Sequence, residues 1–224
     1  MAVGFAVTTF GQDAAALDLK NPKQRASYSI GVDIGTNMKR QELDIDAKAM
    51  AAGLSDALTG KPALSESDMK ESLLTFQKEM MAKMQAKQQV EGDKNKKAGE
   101  EFLAANAKKE GVKALPSGLQ YKVVKAGAGK TPKATDKVKV HYHGTLIDGT
   151  VFDSSVERGE PIELDVNGVI PGWTEALQLM KEGDKWQLYI PGKLAYGEQG
   201  AGSKIGPNSA LIFDVELISI AKAE

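Results

Sequence analysis

The chain has 224 residues, enough for one domain or two, and its 42% hydrophobic and 26% charged content is that of a soluble globular protein. Against 30 acidic residues stand 29 basic ones, a formal net charge of -1 that leaves no electrostatic footprint for nucleic acid. The absence of cysteine excludes disulfides, thiolate catalysis and zinc–thiolate sites.

Residues 1–21 read as a leader. MAVGFAVTTFGQDAAA is a short apolar run followed by small and polar residues, and Thr9-Phe10-Gly11 offers a small-residue cleavage site. The basic residues that open a secretory signal are missing, so a disordered terminus fits the same stretch. No segment approaches the roughly 18 apolar residues of a membrane span.

Residues 22–64 have helical patterning. Tyr28, Ile34 and Met38 share a face with Gly31 and Gly35, where another backbone could approach closely. A second helix is expected from about Asp46 to Leu58, with Ala47, Met50, Leu54 and Leu58 as its stripe and Gly60, Lys61-Pro62 as its stop. These helices are too short to enclose a core alone. Residues 65–111 form a long connecting helix, with Ser65 as N-cap and acids in the first turn. It is apolar at Met69, Leu73, Phe76, Met80 and Met84, then almost wholly polar from Gln85 to Gly99. A helix polar all round is a solvated bridge between domains or is unstable, and Gly92 and Gly99 invite a break or bend. Six of the eight methionines lie in this half. They could fill a core, line a groove for client proteins or form a self-association surface. Apolar stripes with so little chain to cover them favour a symmetric dimer.

Leu115-Pro116-Ser117-Gly118 is a breaker cluster, and the style of the sequence changes there. Leu119 to Val124, Lys185 to Ile190 and Ala210 to Ile220 alternate as strands, and one helix is expected from Trp173 to Met180, with Ala176, Leu177 and Met180 inward. Residues 112–224 therefore form an α+β domain with its own core. Its centre is VKVHYHGTLIDGTVFDSS, Val138 to Ser155. Val138, Val140 and Tyr142 alternate with Lys139, His141 and His143, and Asp148-Gly149 signals a tight two-residue hairpin.

Several chemical motifs fail on inspection. Ala126 to Thr131 (AGAGKT) looks like a phosphate loop, but the required leading glycine is Val124 and Pro132 blocks a following helix. His141 and His143 share a strand face without a third metal ligand, and read as surface histidines. Ser154 and Ser155 lack a histidine placed in sequence to act as base. Asp153 and Glu157 resemble an acid/base pair, yet Arg158 beside them suggests a structural ion pair. What remains is apolar: Tyr142, Phe152, Val169, Ile170, Trp173, Tyr196, Ile205 and Phe213. Each alone reads as core. Trp173 follows Pro171-Gly172 at a helix start, however, and Tyr196 sits in a loop with Gly197, Gly200, Gly202 and Gly206, which points to a pocket.

VHYHGTLIDGTVFDSSVERGEP, VIPGWTEALQLMKEGDKW, LAYGEQGAG and NSALIFDVEL together resemble the FKBP-type peptidyl-prolyl cis-trans isomerases. The helical half, through Ser27 to Gly31 and Phe76-Gln77-Lys78, resembles the Mip-like (macrophage infectivity potentiator) bacterial subgroup. The resemblance implies an antiparallel sheet wrapped on a short helix and a cofactor-free pocket. In it Trp173 would be the floor, and Tyr142, Phe152 and Phe213 the walls. The Ile170 N–H and the Tyr196 hydroxyl would donate to substrate carbonyls. Asp153 would accept from Tyr142 or Arg158, with Arg158, Ile162, Val169 and Ile205 completing the binding surface. It also implies proline-containing clients, a V-shaped homodimer through the N-terminal helices, macrolide inhibitors such as tacrolimus or rapamycin, and a periplasmic or cell-surface location, with the cytoplasm as alternative. Ile162 where many members have Phe, His143 for Thr and Ala201-Gly202-Ser203-Lys204 for the usual loop bear on macrolide affinity and substrate preference. A proline-binding chaperone without catalysis is the rival reading. Ideal pairing across the hairpin would put Asp153, not Phe152, on the Tyr142 face, so both reach one pocket only through a bend or bulge.

Overall fold

Each helix of the N-terminal half has a side chain that caps its start. Asn21 Oδ1 accepts from the Lys23 N–H at 2.9 Å, with Pro22 as the first helical residue of α1 (Pro22–Arg40). Asp46 accepts from Lys48 and Ala49 at the start of α2 (Ala47–Thr59), and Ser65 Oγ accepts from Asp68 N–H at the start of α3 (Glu66–Asn106). The computed structural model describes residues 17–221; the leader expected at 1–21 lies largely outside them, and its cleavage site wholly so. By internal contacts the chain divides into two units, residues 1–80 and 81–224. In the first, no residue of α1 or α2 is buried.

The second unit is built on an antiparallel sheet in the order β1-β2-β6-β7-β3-β4, with β5 paired to β3. The strands are β1 (Val112–Ala114), β2 (Gln120–Lys125), β3 (Lys137–Leu146), β4 (Val151–Ser154), β5 (Ile162–Asp165), β6 (Lys185–Ile190) and β7 (Leu211–Ala221). The one-turn α4 (Ser155–Arg158) follows β4, and α5 (Pro171–Leu177) lies against the inner face of the sheet. Alternation on β3 buries Val138, Val140 and Tyr142, which join Leu188, Leu211, Val215 and Leu217 from the neighbouring strands. From α5 and the turn after it, Ala176, Leu177 and Met180 close this core with no exposed surface.

Two local expectations change. The hairpin after β3 has a three-residue loop rather than two: Leu146 N–H donates to Thr150 O at 2.9 Å, and Gly149 takes the left-handed position at φ 88°. Gly92 and Gly99 neither break nor end α3. Both are buried. A Cβ on Gly99 would lie 3.0 Å from that of Ala210, and one on Gly92 would lie 3.2 Å from Pro207 Cβ, so the glycines let the helix lie close against the C-terminal chain. Farther along, Asn106 Nδ2 donates to Gln120 Oε1 at 3.0 Å and Gln120 Nε2 to Leu103 O at 2.9 Å. The polar end of α3 is thus fastened mainly by amides and missing side chains, with Phe102 against the Tyr189 ring at 6.1 Å as an added apolar contact.

The AGAGKT segment has a structural reason for its first glycine. Gly127 N–H donates to Asp184 Oδ1 at 2.6 Å, and a Cβ there would stand 2.3 Å from Glu182 O and 2.5 Å from Asp184 N. Gly127→Ala is expected to destabilise the second unit by about 1–3 kcal/mol, since backbone must move to admit the methyl. Urea unfolding measures this; an unchanged midpoint would contradict the close approach.

Candidate active site

A cleft of about 810 Å³ opens between the concave face of the sheet and the start of α5. Its floor is Trp173, 4% exposed, which α5 presents from its first turn because Pro171 starts the helix there. The Tyr142 ring from β3 meets the indole edge to face at 5.5 Å between centroids, and Phe213 from β7 does so at 5.2 Å. Phe152 stands edge-on to Phe213 at 5.3 Å. Such aromatic pairs add about 0.5–1.5 kcal/mol each beyond the area they bury.

Phe152 reaches this wall because the β3–β4 ladder slips. His143 pairs with Ser154 and Gly144 with Asp153, but Thr145 pairs with Val151, leaving Phe152 as the extra residue of a bulge. The bend anticipated from the sequence is present, and it puts Phe152 and Asp153 on one cleft. Gly144 opposite makes room: a Cβ there would lie 2.7 Å from Phe152 and 2.8 Å from Phe213.

The other expected residues arrive from separate elements. Ile162 comes from β5, Val169 and Ile170 from the turn before α5, and Tyr196 and Ile205 from the long loop between β6 and β7; all line the cleft. Ile170 is the N-cap of α5, so its N–H lies outside the helical hydrogen bonds. Arg158 does not line the cleft. It stands behind the rim, pairing with Asp153 and donating from Nη2 to Tyr142 Oη at 2.9 Å. Leu164 and Gly168 also line the cleft and were not singled out. Leu164 carried a usable signal, being two residues from Ile162 on the same face of β5. Gly168 carried none.

At the rim, Asp153 accepts from both Tyr142 Oη and Arg158 Nη1. Burial works against the Asp153 carboxylate, but these two hydrogen bonds together outweigh it and hold its pKa below the ordinary value. The Tyr142 hydroxyl is pushed up, first by burial and then by its bond to the Asp153 carboxylate. Its two bonds, with the Asp153 and Tyr142 contacts strengthening one another, hold Arg158 firmly charged. Tyr142, Asp153 and Arg158 therefore keep fixed charge states through neutral pH.

The histidines are placed differently from the expectation. His141 Nδ1 lies 3.0 Å from Ser155 Oγ and His143 Nδ1 lies 3.0 Å from Ser154 Oγ, so each serine does have a histidine beside it. Neither serine can act as a nucleophile. Ser155 is fully buried and accepts from Tyr142 N–H, while Ser154 is 4% exposed and accepts from Glu157 N–H. These contacts lock α4 to β3. Glu157 is no partner of Asp153; it faces His143 at 3.9 Å.

The model for the FKBP-type peptidyl-prolyl cis-trans isomerase matches residues 128–218, and that for the domain amino terminal to FKBP-type peptidyl-prolyl isomerase matches 23–123. The chain belongs to the FKBP-type peptidyl-prolyl cis-trans isomerases. Among similar proteins of this family, the outer membrane protein MIP of Legionella longbeachae is 47% identical over 222 residues, covering 99% of this chain and 95% of that protein. The peptidyl-prolyl cis-trans isomerase Mip of Coxiella burnetii is 46% identical over 209 residues, 93% of this chain and 91% of that one. The crystal structure of FkpA from Escherichia coli superposes with a TM-score of 0.73 at 42% identity, covering 92% of this chain and 99% of that chain. Isomerase activity, the α+β fold and the helical N-terminal part follow from this membership. Among the described residues, no helix is long and apolar enough to cross a membrane.

For an FKBP-type isomerase with this rim, pH dependence has a definite sign. Because the folded pKa of Asp153 is depressed, the support that its carboxylate gives the rim is complete above the ordinary value near about 3.9 and is lost as pH falls through the lower, folded value. Turnover of a prolyl peptide is expected to be flat from about pH 5 to 9. An inflection inside that range would put a titrating group at the reacting bond.

Proposed function

We propose that the cleft over Trp173 is where the X–Pro bond turns. Rotation about such a bond faces a barrier of about 20 kcal/mol, because resonance spreads charge between the C–N bond and the carbonyl. The planar, charge-separated form is disfavoured among aromatic rings, whereas the twisted form with its localised carbonyl and pyramidal nitrogen loses little there. The prolyl ring would lie on Trp173 between Tyr142, Phe152 and Phe213. The Ile170 N–H and the Tyr196 hydroxyl would hold carbonyls on either side, and Ile162, Val169 and Ile205 would close on the flanking side chains. Asp153 and Arg158 would fix the Tyr142 ring. No proton is taken up and no covalent bond forms. The observation that carries this reading is a buried indole beneath an open apolar cleft, with its only carboxylate already engaged by Tyr142 and Arg158.

The helical half supports the proposal of a homodimer. With no residue of α1 or α2 buried, Tyr28 (51% exposed), Leu54 (62%) and Leu58 (81%) face outward. A groove of about 410 Å³ between the two helices is lined by Gly31, Ile34, Gly35, Met38, Met50 and Leu54. Apolar surface this continuous on helices this short calls for a cover, and a second copy provides it symmetrically. Two tethered clefts would then bind extended, proline-containing clients with higher avidity. The similarity to a protein named for the outer membrane supports a periplasmic or cell-surface location. The dry, aromatic cleft would also admit macrolides such as tacrolimus or rapamycin.

Tyr196→Phe, which removes one neutral hydrogen bond, is expected to lower kcat/KM on a prolyl tetrapeptide about fivefold. Asp153→Ala frees Tyr142 and Arg158 together and is expected to cost about tenfold or more. Wild-type rates in both would remove catalysis from this cleft and leave a proline-binding role. Leu54→Glu should convert a dimer to a monomer in light scattering, at unchanged activity on short peptides. A wild-type protein that is already monomeric would end the dimer proposal.

A further inference from the structure

The loop carrying Tyr196 and Ile205 has an outer side as well as the inner side that faces the cleft. It closes on itself: Ala201 and Ile205 exchange backbone hydrogen bonds at 2.8 and 3.2 Å, and Asn208 N–H donates to Gly197 O at 2.7 Å. Asn208 holds a left-handed backbone, φ 54°, which Asn adopts more readily than most non-glycine residues. On its outer side the loop meets α3. Asn95 Nδ2 donates to Pro207 O at 2.9 Å. A Cβ on Gly92 would meet Asn208 Nδ2 at 3.1 Å and Pro207 Cβ at 3.2 Å. On the loop side, a Cβ on Gly206 would lie 2.7 Å from Glu91 Oε1 and 2.9 Å from Asn95 Nδ2. Gly206 touches the helix while its chain neighbour Ile205 lines the cleft. The two are consecutive in the chain.

We propose that residues 91–99 of α3 act as a positioning element for the catalytic cleft, with Asn95 and Gly92 setting where Tyr196 and Ile205 stand relative to Trp173. The inference rests on the assignment of catalysis to that cleft. The loop's own hydrogen bonds fix its internal shape, and Lys204 Nζ donates to Val151 O at 3.3 Å and ties its tip to β4, but neither ties its 206–208 end to anything outside the loop. The helix supplies the reference instead: the Asn95 bond pulls Pro207 outward, and the bare Gly92 surface sets how far it can come. Displacement of the helix by a fraction of an ångström would pass directly to the cleft wall. Asn95 and Gly92 are then explained by what they hold, a carbonyl and the loop's close approach, while Asp93, Lys94, Lys96 and Lys97 between and beyond them face solvent.

Asn95→Ala and Gly92→Ala act on the loop in opposite senses, one releasing it and the other pushing it inward. Alanine is the strongest helix former, so neither disturbs α3 itself. In the full-length protein, KM for a short prolyl peptide is expected to rise about three- to tenfold in each, with kcat within about twofold and the melting temperature nearly unchanged. Amide resonances of Tyr196, Ala201 and Ile205 should shift while those of β1 stay in place. An unchanged KM, or activity lost only in proportion to unfolded protein, would overturn the inference. Asp153→Ala measured alongside separates the two claims. If it loses activity while the helix variants do not, only the positioning role fails; if it keeps full activity, the cleft assignment fails first.

Discussion

The single extra residue in β4 is the constraint on which the cleft depends. In a regular strand, Phe152 and Asp153 would point to opposite faces of the sheet, and either the aromatic wall or the rim carboxylate would be lost. The slip between Gly144 and Thr145 bends the strand so that both reach one side. The rest follows from it. Phe152 can stand edge-on to Phe213, Phe213 and Tyr142 can hold the Trp173 indole between them, and Asp153 can accept from Tyr142. Gly144 belongs to the same device, since any side chain there would occupy the space into which Phe152 swings.

The charges at the rim have been spent on one another. Burial alone would raise a carboxyl group and lower a guanidinium, yet Asp153 is held down and Arg158 up because each bonds the other and both bond Tyr142. An engaged triad of this kind leaves no free base or acid at the rim. It fixes an aromatic ring in one orientation, as the proposed mechanism by shape and dryness would require. The second polar arrangement, His141 and His143 on Ser155 and Ser154, faces away from the cleft and ties α4 to β3, so that Arg158 starts from a fixed backbone.

Legibility from the sequence was uneven, for physical reasons. The alternation of β3 and the Pro171-Gly172 start before Trp173 are local signals, and a local signal is enough to place a strand or a helix terminus. The bulge was legible only as a condition: two neighbours assigned to one cleft cannot come from a flat strand. Serine–histidine pairing was not legible, because each pair is 11 or 14 residues apart and meets only once the hairpin and α4 have formed. The attachment of α3 was hidden more deeply. Periodicity analysis looks for apolar stripes, and apart from Phe102 on Tyr189 this contact is made by Gly92, Asn95, Gly99 and Asn106, residues that such a search scores as breaks or as solvated surface. Gly168 left no trace either, since a glycine in a turn has many ordinary explanations.

Strand β7 lies in the middle of the sheet, paired along one edge with ten residues of β3 and along the other with all of β6. It is also the last strand of that sheet to be synthesised. Before residues 211–221 leave the ribosome, β3 and β6 have no common neighbour, and Phe213 is absent from the aromatic cluster. A nascent chain can therefore pair β1, β2 and β6 in one group and β3, β4 and β5 in another, but the facing edges of β3 and β6 stay open until translation of this segment is complete. Strand edges left unpaired for that interval are the kind that associate with other chains.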